Sequence, residues 1–173
     1  MSDVTNPRGW MERLDSAANE MGIDLDESQL DVLWRYGVML RERNEHVNLT
    51  SVTSPEGILT VHMLDSLTLV PHLGDAVRII DVGTGGGFPG IPLAVACPQR
   101  HFTLIDGTQK KIRFVAEGIK RSTSATRPRS PRAPKVTRAK KTSTWWCCAR
   151  SECWPTYYIT RCHCSPRPGV CSR

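Results

Sequence analysis

The stretch that decides the fold is residues 81–90, which read DVGTGGGFPG. A short, nearly continuous apolar run at residues 77–82 leads into it, as is typical of a parallel strand buried on both faces. Residues 91–97 then read as a helix, and a second apolar run at residues 101–105 ends at Asp106. This order of strand, glycine loop, helix, strand and acidic residue predicts the opening of a nucleotide-binding α/β unit.

The glycines of this loop suit the close approach of a ligand to the backbone. A strand that turns directly into a helix brings several N–H groups to one point, and glycine leaves no Cβ in the way. Gly83, Gly85 and Gly87 follow Asp81 at alternate positions, which is the pattern of S-adenosylmethionine-dependent methyltransferases. A strict dinucleotide fingerprint would need a glycine at Phe88, and the sequence contains no phosphate-binding G-x-x-x-x-G-K-[ST] motif.

Asp106 lies 25 residues after Asp81, at the end of the next predicted strand. A carboxylate at this place in a nucleotide-binding unit can accept both hydroxyls of a ribose. A competing interpretation is purely structural, because any tight strand-to-helix turn favours glycine and Asp106 could be a solvated cap. The order of the surrounding elements favours cofactor binding.

A helical extension is predicted in front of this unit. Three stretches before residue 75 have helical spacing of apolar residues: residues 7–21, residues 26 to about 45, and residues 54–67, where Ser54 and Pro55 supply an N-cap and a first-turn proline. A further helix is predicted after the second strand, at residues 110–119.

The composition changes abruptly after Gly118. Residues 1–118 carry 10 Lys and Arg against 16 Asp and Glu, whereas residues 119–173 carry 13 against 1. Six of the seven Cys lie in the second part, which contains no Leu. We therefore divide the chain into a helical extension at 1–75, a partial cofactor-binding unit at 76–118 and a basic tail at 119–173. The net charge of +6 for the whole chain consequently says little about nucleic-acid binding.

Two broad classes of protein are disfavoured. No run approaches the ~20 apolar residues that a transmembrane helix needs. The N-terminus is polar and has helical spacing, so it does not read as a secretory signal. We therefore expect a cytoplasmic protein whose cysteines form no disulfide framework.

Four motifs accompany the glycine loop: NLT at 48–50, HMLDSL at 62–67, GFPGIPL at 87–93, and the segment from Asp106 to KKIRF at 110–114. Together they resemble the bacterial 16S ribosomal RNA guanine-N7 methyltransferases, the RsmG or GidB family, from about Leu25 to Val115. The resemblance implies an α/β, class I (Rossmann-like) methyltransferase fold behind a helical N-terminal extension. It also implies S-adenosylmethionine as the methyl donor, and 16S rRNA or the small ribosomal subunit as the partner of a monomeric enzyme.

Carried over residue by residue, the resemblance implies that Gly83 and Phe88 contact the cofactor, that Gly85 and Gly87 form the close-approach loop, and that Asp106 binds the ribose hydroxyls. It assigns no metal and no catalytic residue. Guanine N7 already has a free lone pair, so methyl transfer needs in-line positioning more than a general base.

Five further residues have two interpretations each. His62 and Asp65 match the family's helix motif near the site, but an i, i+3 structural pair explains them equally well. Lys110, Lys111 and Arg113 could meet RNA phosphates, or they could form the solvated face of a helix.

The tail departs from the family. After about residue 118 the family would continue with a third strand followed by an Ala-Glu pair at the adenine pocket, and a fourth strand followed by Ser-Arg-Ala, and none of these is recognisable. We hypothesise that residues 119–173 are translated out of frame. The coding DNA tests this hypothesis: if a one-base shift near codon 120 restores no family-like sequence, the hypothesis is wrong.

Two other interpretations of the tail remain open. A zinc module is disfavoured because the cysteines lack C-x₂-C spacing. A disordered basic arm would make the chain a nonenzymatic RNA-binding protein.

The expected sheet is incomplete. Two parallel strands without neighbours would leave apolar faces and edges uncovered. We therefore expect a truncated, inactive form that does not fold stably.

Overall fold

The computed structural model describes residues 6–123 and 134–138. Its helices are α1 (Pro7–Glu20), α2 (Glu27–Val47), α3 (Pro55–Gly57), a π-helix (Ile58–Leu64), α4 (Asp65–Leu67), a 3₁₀ turn (Val70–Leu73), α5 (Gly90–Ala96) and α6 (Gln109–Thr123). Its strands are β1 (Arg78–Val82), β2 (His101–Asp106) and β3 (Lys135–Arg138). Among the described residues, every helix lacks the length or the apolar character of a membrane-spanning segment.

The first two helices have the predicted starts. The Asn6 side chain accepts a hydrogen bond from Gly9 N at the start of α1, with proline in the first turn. At the start of α2, Asp26 and Gln29 form a reciprocal capping box. Helix α2 continues to Val47, a few residues beyond the predicted end.

The third predicted helix is correct in its extent but wrong in its type. Ser54 caps its first turn as expected, and helical backbone continues to Leu67, but the middle seven residues form a π-helix. The hydroxyl of Thr60 donates to the carbonyl of Glu56, and that of Ser66 donates to the carbonyl of His62. The spacing of apolar residues predicts which side of a helix is buried, but it does not distinguish a short π-helix from an α-helix.

The three strands form a parallel sheet in the order β1-β2-β3. In β1 and β2, one set of alternating residues is buried, including Ile79, Phe102 and Leu104. The other set of β1 is half-buried or exposed, so burial on both faces was overestimated for this strand. Helix α5 connects β1 to β2 and packs on β2, while α6 packs on β2, β3 and α2.

A third strand lies in the region where none was expected. Helix α6 continues past Gly118 to Thr123, and residues 135–138, KVTR, pair in parallel with β2 through Leu104 opposite Val136. Val136 and Thr137 are β-branched, a character that suits a strand even where the surrounding composition is basic. The expected break at residue 118 is therefore not the end of a secondary-structure element. The rest of the tail lies outside the described residues.

One core joins the helical extension to the sheet. Its fully buried side chains come from α1, α2, the π-helix, α4, α5, β2 and α6: Trp10, Leu14, Leu33, Tyr36, Leu40, Leu59, Met63, Leu67, Leu93, Leu104 and Val115. Arg43 of α2 also binds both carboxylate oxygens of Glu117 on α6. The helical extension thus packs on α5 and α6, the two helices that themselves pack on β2.

Candidate cofactor site

The glycine loop lies directly after β1 and is tied to the end of β2. The carbonyl of Ile105 accepts hydrogen bonds from Gly83 N at 2.7 Å and from Thr84 N at 3.1 Å. Gly83, Gly85 and Gly87 have φ values of 86°, 58° and 94°, a region that side chains with a Cβ rarely adopt. These alternate glycines are therefore required by the backbone of the loop itself.

The front of the loop is open. A Cβ added to Gly83 would meet nothing within 4 Å, and one added to Gly85 would meet only the Gly83 carbonyl at 3.8 Å. A Cβ on Gly87 would instead overlap the Tyr36 hydroxyl and Ile91. The first two glycines thus border free space that a ligand could fill, while Gly87 is demanded by packing behind the loop.

Asp106 is held against the glycine loop. Its Oδ2 accepts a hydrogen bond from Gly85 N at 3.0 Å, and its Oδ1 accepts one from Thr108 N at 2.7 Å. The side chain is 8% exposed, so the alternative of a freely solvated cap is wrong, although the bond to Thr108 does support the turn before α6. Each oxygen retains acceptor capacity, so two ribose hydroxyls could still bind this carboxylate.

Asp81 lies beneath the loop as a second, deeper carboxylate. It is 3% exposed, and its Oδ2 accepts hydrogen bonds from Thr84 Oγ1 at 2.7 Å and Gly90 N at 3.0 Å. Burial raises the pKa of Asp81 to about 6, with the charge of Asp106 adding to the rise and the two donors opposing it. Asp81 therefore supports the turn into α5 from behind.

Tyr36 is a site residue that the sequence did not predict. It is fully buried on α2, and its hydroxyl donates to the carbonyl of Gly86 at 2.8 Å. Burial raises the pKa of Tyr36 far above its ordinary value, so the phenol keeps its proton and remains a donor. Apolar spacing predicted this helix through other residues, namely Leu30, Leu33, Trp34, Gly37 and Leu40. The three-residue intervals between Leu33, Tyr36 and Met39 were the available signal that Tyr36 is also buried.

Phe88 ends the loop and contacts the helical extension. Its ring stacks on the imidazole of His62, with centroids 4.5 Å apart and planes 16° from parallel. The Nε2 atom of His62 lies 2.7 Å from Thr50 Oγ1. Burial lowers the pKa of His62, and the charge of Asp65 opposes this shift. The structure therefore brings His62 to the loop, where it contacts Phe88 and Thr50.

Comparison with known proteins identifies the family. The family model described as rRNA small subunit methyltransferase G (GidB) matches residues 29–153. The chain belongs to this family. The match begins within α2 and includes β1, the glycine loop, β2, α6 and β3. It extends past Val115, where the resemblance was expected to end.

Curated relatives carry the same description. The chain is 44% identical over 113 residues to "Ribosomal RNA small subunit methyltransferase G" of Saccharophagus degradans, covering 65% of this chain and 50% of the relative. For the proteins of that name from Pectobacterium atrosepticum and Cupriavidus necator, the identities are 45% over 104 residues and 40% over 125 residues. These alignments cover 60% and 66% of this chain, and 50% and 54% of the relatives. The chain thus spans about half the length of these curated relatives.

The basic residues of the GidB-type segment 106–114 lie on the first two turns of α6. Lys110 and Arg113 are exposed and Lys111 is half-buried. They therefore lie on the same helix that follows Asp106, and a role for them in RNA binding stays a prediction.

Proposed function

We propose that this chain carries the cofactor-binding part of an S-adenosylmethionine-dependent methyltransferase that acts on guanine N7 of 16S ribosomal RNA. The observation that carries the proposal is the buried Asp106 carboxylate held to Gly85 N beside an open glycine loop. Membership of the family supports a methyl donor of this type and an rRNA acceptor. A cytoplasmic monomer acting on the small ribosomal subunit fits the same proposal.

The residues present fit such a cofactor. Asp106 would accept the ribose hydroxyls, the backbone at Gly83 and Gly85 would line the approach, and Phe88 would border the site. When bound, the cofactor supplies an electrophilic methyl group on a sulfonium. The chain's own contribution is to fix the donor in place, since guanine N7 needs no deprotonation before attack. No residue of this chain is therefore assigned as an acid or a base.

We infer further that this chain by itself transfers methyl groups poorly. In the sequence, β3 is followed by Ala139-Lys140, where the resemblance implies an Ala-Glu pair at the adenine pocket. A lysine at this position has the opposite charge from the glutamate. The change in composition after Gly118 supports the same conclusion.

Calorimetric titration of the full chain with S-adenosylmethionine tests the binding proposal. The variant Asp106→Asn should bind roughly tenfold to a hundredfold more weakly, because hydrogen bonds to a charged acceptor contribute about 1.5–3 kcal/mol. Asp24→Asn, which changes an exposed carboxylate between α1 and α2, is the matched control and should bind like the unchanged chain. Equal affinities of all three would reject the role of Asp106.

Transfer of a tritiated methyl group to small ribosomal subunits that lack the modification tests the activity. We expect cofactor binding with little or no incorporation. Incorporation at a catalytic rate would support the reaction and overturn the inference of poor transfer. Absence of both binding and incorporation would overturn the proposed function.

A further inference from the structure

The imidazole of His62 lies between two parts of the molecule that are far apart in sequence. On one side it meets Thr50, in the loop after α2, and on the other it stacks on Phe88 at the end of the glycine loop. His62 itself is on the π-helix. This side chain therefore links the helical extension directly to the loop of the cofactor site.

The Thr50 end of this link is firmly held. Asn44, buried near the end of α2, accepts hydrogen bonds from Leu49 N and Thr50 N through its Oδ1, at 2.7 and 2.8 Å. Its Nδ2 donates to the Thr50 carbonyl at 2.9 Å. Val52 N donates to Thr50 Oγ1 at 3.0 Å. The hydroxyl of Thr50 consequently has a fixed position, 2.7 Å from His62 Nε2.

The chemistry of the imidazole agrees with this arrangement. Burial lowers the pKa of His62, so the ring is neutral near pH 7. Thr50 Oγ1 accepts from Val52 N and also has a proton of its own to donate, whereas the 2.7 Å contact with Nε2 is compatible with either direction of the bond. We infer the tautomer in which Thr50 donates to Nε2 and the hydrogen of the neutral ring lies on Nδ1, so that one ring plane satisfies both neighbours.

The orientation of the Phe88 ring depends on its contacts with neighbouring side chains. The backbone of Phe88 is fixed by the bond from its N–H to the Thr84 carbonyl at 3.0 Å, but this leaves the direction of the ring undetermined. His62 covers one face of the ring at 4.5 Å, and Tyr36 approaches edge-on at 6.0 Å. A stacked contact on one side and an edge contact on another favour one orientation of an aromatic ring.

We propose that His62 is a positioning residue that fixes the orientation of the Phe88 ring, through its stack on that ring and its hydrogen bond to Thr50, and so sets the affinity for S-adenosylmethionine. This inference rests on the proposed function. It assigns His62 a role through Phe88, with no contact of its own to the reacting atoms.

A double-mutant cycle on cofactor affinity tests the proposal, with the full chain titrated with S-adenosylmethionine in each case. His62→Ala should weaken binding roughly threefold to tenfold, the range expected for one aromatic contact. His62→Phe, which keeps a flat ring against Phe88, should weaken it less. His72→Ala, at an exposed histidine of the 3₁₀ turn, is the control and should leave the affinity unchanged.

Non-additivity separates positioning from a general loss of structure. If His62 acts through Phe88, then His62→Ala should have no further effect on affinity in a Phe88→Ala background. Full additivity of the two changes, or an unchanged affinity of His62→Ala in a chain that binds the cofactor, would overturn the inference. Absence of binding by the unchanged chain would overturn the proposed function as well, so the two failures are distinct.

The hydrogen bond has its own readout. The ¹⁵N shifts of the His62 ring should report Nδ1 as protonated and Nε2 as the acceptor at neutral pH, and Thr50→Val should change the Nε2 shift while Thr50→Ser preserves it. A protonated Nε2 in the unchanged chain would contradict the proposed arrangement.

Discussion

Asp81 is a buried carboxylate whose ionisation opposes folding. Its folded-state pKa of about 6 lies above the ordinary value of 3.8, so the native state favours the protonated form. The stability that this group contributes is present below about pH 4 and is lost as the pH rises through 6. The charged groups that face it include Asp106, which raises the pKa of Asp81 further.

The variant Asp81→Asn should therefore gain stability relative to the unchanged chain as the pH rises from 4 to 7.5. A shift of about two pKa units sets the size of this relative gain at roughly 1–3 kcal/mol. Urea unfolding at both pH values measures it, and Asp24→Asn serves as the exposed control. A difference between the variant and the unchanged chain that does not depend on pH would contradict the assignment.

Tyr36 fastens the glycine loop from a position 50 residues earlier in the chain. Tyr36→Phe keeps the buried ring but removes the bond to the Gly86 carbonyl, so the free energy of unfolding should fall by about 1 kcal/mol. The loop amides should also exchange with solvent faster than in the unchanged chain. Hydrogen exchange at residues 85–88 measures this, and protection equal to that of the unchanged chain would show that the bond does not hold the loop.

The residues of the candidate site could be predicted from the sequence to different degrees. The alternate glycines and Asp106 could be predicted because their spacing follows from one local turn and two neighbouring strand ends. The hydrogen bond from Tyr36 to the glycine loop and the contact between His62 and Phe88 could not, because each joins segments that are brought together only by packing. A single sequence carries no direct record of such distant pairs.

The close packing of α2 against α6 depends on the absence of a side chain at Gly118. A Cβ on Gly118 would overlap the Tyr36 ring and the Met39 methyl group. Helix propensity alone predicts that Gly118→Ala stabilises α6 by about 1 kcal/mol, but the steric overlap with a fully buried ring opposes this. We expect the cost of the steric overlap to exceed the gain in helix propensity.

Gly118→Ala should therefore destabilise the protein by roughly 1–3 kcal/mol, as overpacked cores do. Denaturant unfolding measures the change. Gly107→Ala is the matched control, since a Cβ there meets nothing within 4 Å, and it should be close to neutral. A stabilised Gly118→Ala variant would mean that α2 and α6 are farther apart than described.

The elements themselves were predicted to different degrees. The predicted N-cap at Ser54 is present, and the three helices begin directly after Asn6, Asp26 and Ser54, whose side chains cap them. The π-helix was missed because its side chains have the same apolar spacing as an ordinary helix. Strand β3 was missed because its four residues lie in a segment whose composition is dominated by Arg, Lys, Pro and Ser.

For the whole molecule, the expectation of an unstable fragment rested on two strands without cover. The described part contains three parallel strands, and the helical extension shares one core with them. That premise is therefore wrong, and we now expect residues 6–123 to contribute to a cooperative unfolding transition. The unfolding experiments above decide this point, since a gradual transition would uphold the original expectation.

The family match spans the change in composition near Gly118, because it runs to residue 153. Most residues of the tail lie outside the described part, so the out-of-frame hypothesis and the zinc and RNA-arm alternatives stay predictions. The coding DNA remains the direct test of the reading frame.

We propose that Asp106 binds the ribose hydroxyls of the cofactor. The most direct measurement compares the affinities of S-adenosylhomocysteine and its 2′-deoxy analogue for the unchanged chain and for Asp106→Asn. We predict that removing the hydroxyl weakens binding to the unchanged chain roughly tenfold, and that this penalty largely disappears in the variant. An equal penalty in both proteins would contradict the claim, because the hydroxyl would then be recognised by some other group.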